Sequence, residues 1–327
     1  MKILGLGNAL ADILIQLPDD NLIHQLHLPK GSMQLIPSSD LPEINKVIKN
    51  LPVVVVSGGS AANTIHGIAS MGLDCGYLGK VGYDEFGEFY ETDLTKAGVQ
   101  SKLLHSQSVT GMAYTFITPD GERTFATFLG AAVELLPEEI NQSLFKDYDL
   151  LHLEGYLVNN RFLVEKALQT AKNAHLKISL DLSSYNVVEA NLEFLKRIIP
   201  DYVDIVFANE EESKAYSGKD PLKALNEIAN HCEIAIVKIG KEGALIKSAN
   251  HINKVAAFPV NVIDTTGAGD QFAAGFLYGL AQNLDLEKCG KLGALLASYV
   301  IENYGARIKK EQWMAIHEKI KNIVTID

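Results

Sequence analysis

The sequence predicts an α/β fold: a mostly parallel sheet flanked by helices, with a small β-sheet lid. Three observations lead there. From residue 150 onward, apolar strand-like runs alternate with helix-like segments, the pattern of a parallel sheet whose crossovers are helices. Earlier in the chain, two stretches carry extended segments that no helix separates. The 26 glycines cluster instead of scattering, which marks places where backbone must turn or approach closely.

Taken in order, residues 2–7 read as a buried strand ending in glycine, and 12–17 and 32–36 as short extended segments joined by a loop. Residues 53–56 are a β-branched run before Ser57-Gly58-Gly59; Ser60 opens a helical pattern to Met71, and 75–78 form a further strand. Residues 111–128 read as a hairpin turning at Pro119-Asp120-Gly121, because Asp-Gly between two β-rich runs is a strong hairpin signal. Strand–helix pairs follow at 150–153 and 161–174, 177–182 and 188–199, and 203–207 and 210–216. A strand at 234–239, a long helix at 269–281 and helical stretches at 287–304 and 309–320 complete the chain. The expectation is one domain, 1–327, with a lid of about 12–17, 32–37 and 111–129 inserted in it to exclude water from a reactive site.

Composition narrows the function classes. The 327 residues are 47% hydrophobic and 21% charged, as in a folded soluble protein. A formal charge of −11 argues against nucleic acid or a membrane surface as partner. No apolar stretch approaches the roughly 20 residues of a membrane span, and the apolar N-terminus is too short for a signal peptide. Three cysteines without metal-ligand spacing read as reduced, mostly buried thiols. A cytoplasmic location is expected.

The most informative stretch is Asp264-Thr265-Thr266-Gly267-Ala268-Gly269-Asp270-Gln271-Phe272-Ala273-Ala274-Gly275-Phe276. A glycine corner opening a helix lets first-turn amides converge, and the helix dipole adds to their pull on an anion. Asp270 lies in the same turn, where a carboxylate can take the proton of an attacking hydroxyl while the amides hold a transferred phosphoryl group. The plainer alternative is a helix start with a capping carboxylate. Asn8 and Asp12, just after the first strand, suit recognition of vicinal hydroxyls. The Gly5-Leu6-Gly7 turn lacks the third glycine of a dinucleotide fingerprint, which excludes a nicotinamide dehydrogenase. There is also no Gly-x-x-x-x-Gly-Lys-Ser/Thr, so a P-loop is absent.

The 264–276 stretch resembles the C-terminal signature of the ribokinase-like (PfkB) carbohydrate and nucleoside kinases. Gly58-Gly59-Ser60-Ala61-Ala62-Asn63 with Gly79-Lys80-Val81-Gly82-Tyr83-Asp84-Glu85-Phe86-Gly87 resembles the N-terminal signature. Asn209-Glu210-Glu211-Glu212 matches the Asn-x-x-Glu motif that the family links to magnesium and phosphate. The resemblance spans nearly the whole chain and implies a kinase using ATP and Mg2+. By it, Asp270 is the catalytic base, and Gly267, Ala268 and Gly269 form the anion hole. Asn209 and Glu212 position hydrated magnesium, and Gly240 and Gly243 contact the nucleotide. Asp264 and Thr266 match positions that in some members help bind a monovalent cation such as K+. The family often has Thr where Lys238 stands here. Residues matching Asp12, Gly58, Gly59 and Asn63 hold sugar hydroxyls, although Asp12 and Asn63 as plain turn or helix caps stay open.

Within the family the finer resemblance is to the adenosine kinases. It makes Arg123 the lid arginine that reaches the phosphates and places Phe125 and Leu129 against a base, with Met33 and Leu35 on the other lid strand. Apolar faces bracketing a flat ring suit a purine better than a free sugar. Many sugar kinases of the family carry Asp-x-Asn-x-Arg after a central strand, but this chain reads Asp181-Leu182-Ser183-Ser184-Tyr185. The expectation is therefore a small-molecule nucleoside as acceptor. A ribokinase- or fructokinase-like sugar kinase is the alternative, and a non-catalytic binding protein on the same fold a remote one. The chain would act as a monomer or as a lid-mediated homodimer.

Overall fold

The main sheet has 9 strands, and the computed structural model describes residues 1–325. Its order across the sheet is His251–Val255, Ala244–Ser248, Ile234–Lys238, Ile205–Asn209, Lys177–Asp181, Leu150–Glu154, Ile3–Leu6, Cys75–Leu78 and Gln100–Ser101. From Ile234–Lys238 to Gln100–Ser101 every neighbouring pair is parallel; the two remaining edge strands are antiparallel.

Successive residues of a strand point to opposite faces, and both faces here are apolar. Ile3, Leu150, Ile205, Phe207 and Ile236 pack with Ile65, Phe272, Phe276 and Leu292 from the helices Ser60–Ser70, Ala268–Ala281 and Leu286–Val300. Leu4, Leu151, Leu153, Val206 and Val237 pack on the other side with Val164, Leu168, Phe194 and Leu225. Such unbroken apolar runs are what burial on two sides requires.

Two helix assignments differ from expectation. The segment expected as one helix over 188–199 is two, Tyr185–Ala190 and Leu192–Tyr202. They break at Asn191, whose side-chain amide donates to Asn159 Oδ1 (2.9 Å) and to the Val187 carbonyl (3.1 Å). An asparagine competing locally for backbone groups leaves the apolar spacing unchanged, so periodicity passes over it. The last helix starts at Trp313, after a short turn over Lys310–Gln312, and not at 309.

The extended segments form a second sheet in the order Met33–Leu35, Arg123–Phe128, Gly111–Ile117, Leu10–Gln16 and Val53–Gly58. The last of these is the unexpected member: the β-branched run at 53–56 is an edge strand of the smaller sheet, antiparallel to Leu10–Gln16. One face carries Ile13, Ile15, Met112, Tyr114, Phe116 and Ala126, packed against Ile23, Leu41, Ile44 and Ile48 of the chain's own helices. The opposite face carries two cross-strand rows. The first runs Val56, Asp12, Ala113, Thr127, Leu35; the second runs Val54, Leu14, Thr115, Phe125, Met33. At the hairpin tip Lys30 bridges Asp20 and Asp120 (2.8 and 2.7 Å). The three cysteines are free, Cys75 and Cys289 buried and Cys232 partly so. Among the described residues no helix is long and apolar enough to cross a membrane.

Candidate active site

The turn before the Ala268–Ala281 helix is held by Asp264. Its carboxylate accepts from the Thr266 N–H (2.6 Å) and the Gly305 N–H (2.8 Å). Gly267 caps the helix in a left-handed conformation (φ 73°), and a Cβ there would stand 2.6 Å from Ala306 Cα, so only glycine fits. The Ala268 N–H donates to the Thr265 carbonyl (3.2 Å). Among the described residues the N–H groups of Gly267, Gly269 and Asp270 have no backbone partner. The amides left for an anion are thus those of Gly267, Gly269 and Asp270, not of Ala268 as the motif implied.

Asp270 joins this helix to a second one. Its Oδ1 accepts from Ser60 Oγ (2.7 Å) and its Oδ2 from Asn63 Nδ2 (3.0 Å). Burial pushes its pKa up to about 6, against the pull of the Ser60 and Asn63 bonds; the Asp181 charge raises it further and Lys238 lowers it. Asn63 lies inside the Ser60–Ser70 helix and Asp12 lies mid-strand, so neither is a cap. Asn63 Oδ1 is buried without a hydrogen-bond partner.

Asp12 faces the same space. Burial pushes its carboxyl up to about 7, with Arg307 pulling down and Asp270 pushing up. A Cβ on Gly58 would stand 2.1 Å from the Asp12 carboxyl carbon, so Gly58 makes room for that group. Gly59 caps the Ser60–Ser70 helix with its φ at 96°, against the Asn8 carbonyl. Asn8 differs from expectation: its N–H and its side-chain amide both donate to Glu154 Oε1 (2.9 and 2.8 Å). The other Glu154 oxygen accepts from the Ala61 N–H (3.0 Å). Glu154 therefore ties the first strand's turn to the helix that carries Asn63.

From the smaller sheet, Arg123 ion-pairs with the buried Asp264 and lies 5.8 Å over the Phe125 ring. With Arg123, Thr266 and Gly305 on it, Asp264 has protein partners where the motif implied a monovalent cation. Phe125 and Met33 are direct cross-strand neighbours. Leu129, with Leu35, Thr127, Phe128 and Val133, lines a cavity of about 290 Å³. Thr127 and Leu35 belong to the Asp12 row, so this cavity adjoins the face that carries Asp12.

At the opposite side, Asn209 and Glu212 cap the Glu210–Ser217 helix reciprocally. Glu212 accepts from the Asn209 N–H and Nδ2 (both 2.7 Å), and Asn209 Oδ1 accepts from the Glu212 N–H (2.8 Å). Burial pushes Glu212 up to about 7, opposed by Lys238 and reinforced by Asp181. Lys238 donates to Asp181 Oδ2 (3.1 Å). Gly240 and Gly243 flank the single turn between Ile234–Lys238 and Ala244–Ser248.

Two residues were given no role from the sequence. Ser60 sits three positions before Asn63 and so shares its helix face, a legible signal. Glu154 is a charged residue ending an apolar strand, at the sheet edge where α/β proteins bind ligands. Lys238, singled out in the sequence as standing where the family often has Thr, ends an apolar strand in the same way.

Free amides and a carboxylate at one helix start can hold a phosphoryl group and take a hydroxyl's proton, the chemistry of a phosphotransferase acting on a hydroxyl. The chain belongs to the pfkB family of carbohydrate kinases, whose sequence model matches residues 32–313; use of ATP goes with that family. It is 31% identical over 243 residues to an uncharacterized sugar kinase of Archaeoglobus fulgidus, covering 74% of this chain and 96% of that one. A probable sugar kinase from Rhizobium etli has a structure matching with TM-score 0.87 at 33% identity, covering 99% of each chain. The adenosine kinase from Sinorhizobium meliloti matches with TM-score 0.85 at 34% identity, covering 97% of this chain and 99% of that one.

Proposed function

We propose that the protein transfers the γ-phosphoryl group of ATP to a primary hydroxyl of a nucleoside such as adenosine. The acceptor oxygen bonds to the γ-phosphorus, the bond to the β–γ bridging oxygen breaks, and ADP leaves with that electron pair. The hydroxyl proton goes to Asp270 Oδ, and the free amides of Gly267, Gly269 and Asp270 receive the phosphoryl charge. Asp12 and Asn63 hold the acceptor's other hydroxyls. The smaller sheet acts as the lid, with Arg123 closing from it.

The observation that carries the nucleoside reading is the row from Asp12 through Ala113 to Thr127 and Leu35. Two strand spacings, about 10 Å, separate Asp12 from Thr127, which is the reach of a ribose bearing a base. The far end opens onto the cavity lined by Leu35, Leu129 and Val133 together with the polar Ser108 and Glu134, and Met33 and Phe125 lie in the next row. Likeness to the Sinorhizobium meliloti adenosine kinase points the same way. The sugar-kinase reading draws on what the Archaeoglobus and Rhizobium relatives are called. Against it, Ser183 is turned inward: its N–H donates to Asp181 Oδ1 and its hydroxyl accepts from the Gly155 N–H (both 2.8 Å).

Magnesium fits the donor side. Asp181 and Glu212 surround the single ammonium of Lys238, an excess of negative charge, and both Glu212 oxygens already accept from Asn209, which favours contact through water. Bound there, the ion would neutralise phosphate charge. The lid's outer face is covered by the Leu41–Ile48 helix, so the reading is of a monomer.

ATP consumption with adenosine, inosine and free ribose, for the parent and for Asp270→Asn, tests the proposal. Nucleosides should turn over fastest, and Asp270→Asn should lose at least ~100-fold, the scale of a general base. Preference for free sugars over every nucleoside would overturn the acceptor; undiminished turnover in the variant would overturn the base.

A further inference from the structure

We infer that Lys238 is a further catalytic residue: its ammonium meets the transferred phosphoryl group at the mouth of the anion hole. The inference rests on the phosphoryl-transfer reading above. It concerns a lysine at a position where the family often has Thr.

Lys238 ends the strand Ile234–Lys238 and pairs in register with Asn209, so it emerges beside the Asn209–Glu212 turn. Its side chain crosses to the first turn of the Ala268–Ala281 helix. A Cβ on Gly269 would stand 3.0 Å from Lys238 Nζ, and the only other atom within 4 Å would be Lys238 Cε. Gly269 thus leaves the space into which the ammonium projects. Any side chain there would press on it.

The Lys238 side chain is only 16% exposed, and its ammonium has one hydrogen bond among the described residues, to Asp181 Oδ2 at 3.1 Å. An ammonium has three donors, so two remain for a ligand. Burial alone would neutralise such a group, but Asp181, Glu212 and Asp270 outweigh it and hold its pKa above the usual lysine value.

The start of a helix carries positive partial charge, and here the amides of Gly267, Gly269 and Asp270 have no backbone partner. The carboxylates of Asp181, Glu212 and Asp270 hold the ammonium beside those amides with donors to spare. An anion between ammonium and amides would be attracted from both sides. A phosphoryl group passing from donor to acceptor gathers charge there, so the lysine acts most strongly in the transition state.

The test uses the full chain with Lys238→Met, Lys238→Arg and Lys238→Thr, alongside Asp270→Asn. Loss of one preorganised donor typically costs ~100- to 1,000-fold in kcat. Lys238→Met should fall by that amount with the acceptor KM changed less than about threefold, while Lys238→Arg recovers at least about tenfold. Binding of a β,γ-imido ATP analogue should weaken in Lys238→Met, whose folded state is checked by its circular dichroism spectrum and a cooperative melting transition. If Lys238→Met fails to fold, Lys238→Thr, which introduces the residue often found in relatives, takes its place. Turnover within threefold of the parent in a folded Lys238→Met or Lys238→Thr overturns the inference while Asp270→Asn stays inactive. An active Asp270→Asn overturns the underlying reading instead.

Discussion

At the scale of single residues, Asp270 sits where burial outweighs the bonds that favour a charged carboxylate. Removal from water disfavours its charge, and the bonds from Ser60 and Asn63 favour it, leaving a pKa of about 6. A base must be unprotonated to work. The rate constant kcat/KM should therefore rise with pH, bend near pH 6 and level above it. Ser60→Ala removes a bond that stabilises the charged form, so the bend should move to higher pH. A pH–rate profile measures both, and a bend that stays in place or moves to lower pH would separate Ser60 from the base. The same residue shows why motif and mechanism differ in detail: the tetrad Gly267-Ala268-Gly269-Asp270 contributes amides, but one of them is taken by the Thr265 carbonyl.

At the scale of elements, the smaller sheet depends on the helix that covers it. Leu41, Ile44 and Ile48 recur on one side of the Leu41–Ile48 helix and press on Ile13, Ile15 and Phe116. Without that cover the sheet would expose one apolar face to water and the other to the site. Ile44 is 3% exposed, and truncating such a side chain costs about 2–5 kcal/mol. Ile44→Ala should lower the denaturation midpoint accordingly, and a chemical denaturation curve unchanged from the parent would contradict the packing described. The Glu210–Ser217 helix shows a different device: its reciprocal Asn209–Glu212 cap closes the helix start and fixes the Glu212 carboxylate there.

At the scale of the molecule, the proposed site draws on two sheets, and neither carries all of its residues. Asp270, Glu212 and Lys238 belong to the main body, whereas Asp12, Phe125 and Arg123 come from the smaller sheet. On the lid side Arg123 reaches Asp264, while at the edge strand Asp93, Arg307 and Tyr90 bond to Ser57 and Gly58 and anchor the smaller sheet to the main body. A reacting phosphoryl group needs water excluded, which closure of the lid strands about that anchored edge would provide. Adding adenosine together with a non-hydrolysable ATP analogue should slow amide exchange in Leu10–Gln16 and Gly111–Ile117 more than either alone. Exchange there that ignores both ligands would remove the lid role.

How much of this was legible beforehand follows from locality. The parallel strands, the hairpin and the turn into the Ala268–Ala281 helix are written in contiguous residues. Apolar period, Asp-Gly and a glycine corner act over a few positions, and neighbours along the chain suffice to express them. The contacts that complete the site are different in kind. Ser60 lies 210 positions from Asp270, and Asn8 lies 146 from Glu154. The Val53–Gly58 edge strand, the covering helix and the reach of Lys238 over Gly269 are likewise decisions of the folded chain. A polar side chain at the end of an apolar strand has the same local sequence whether it faces water or an opposing helix; only the packing of distant segments selects between them.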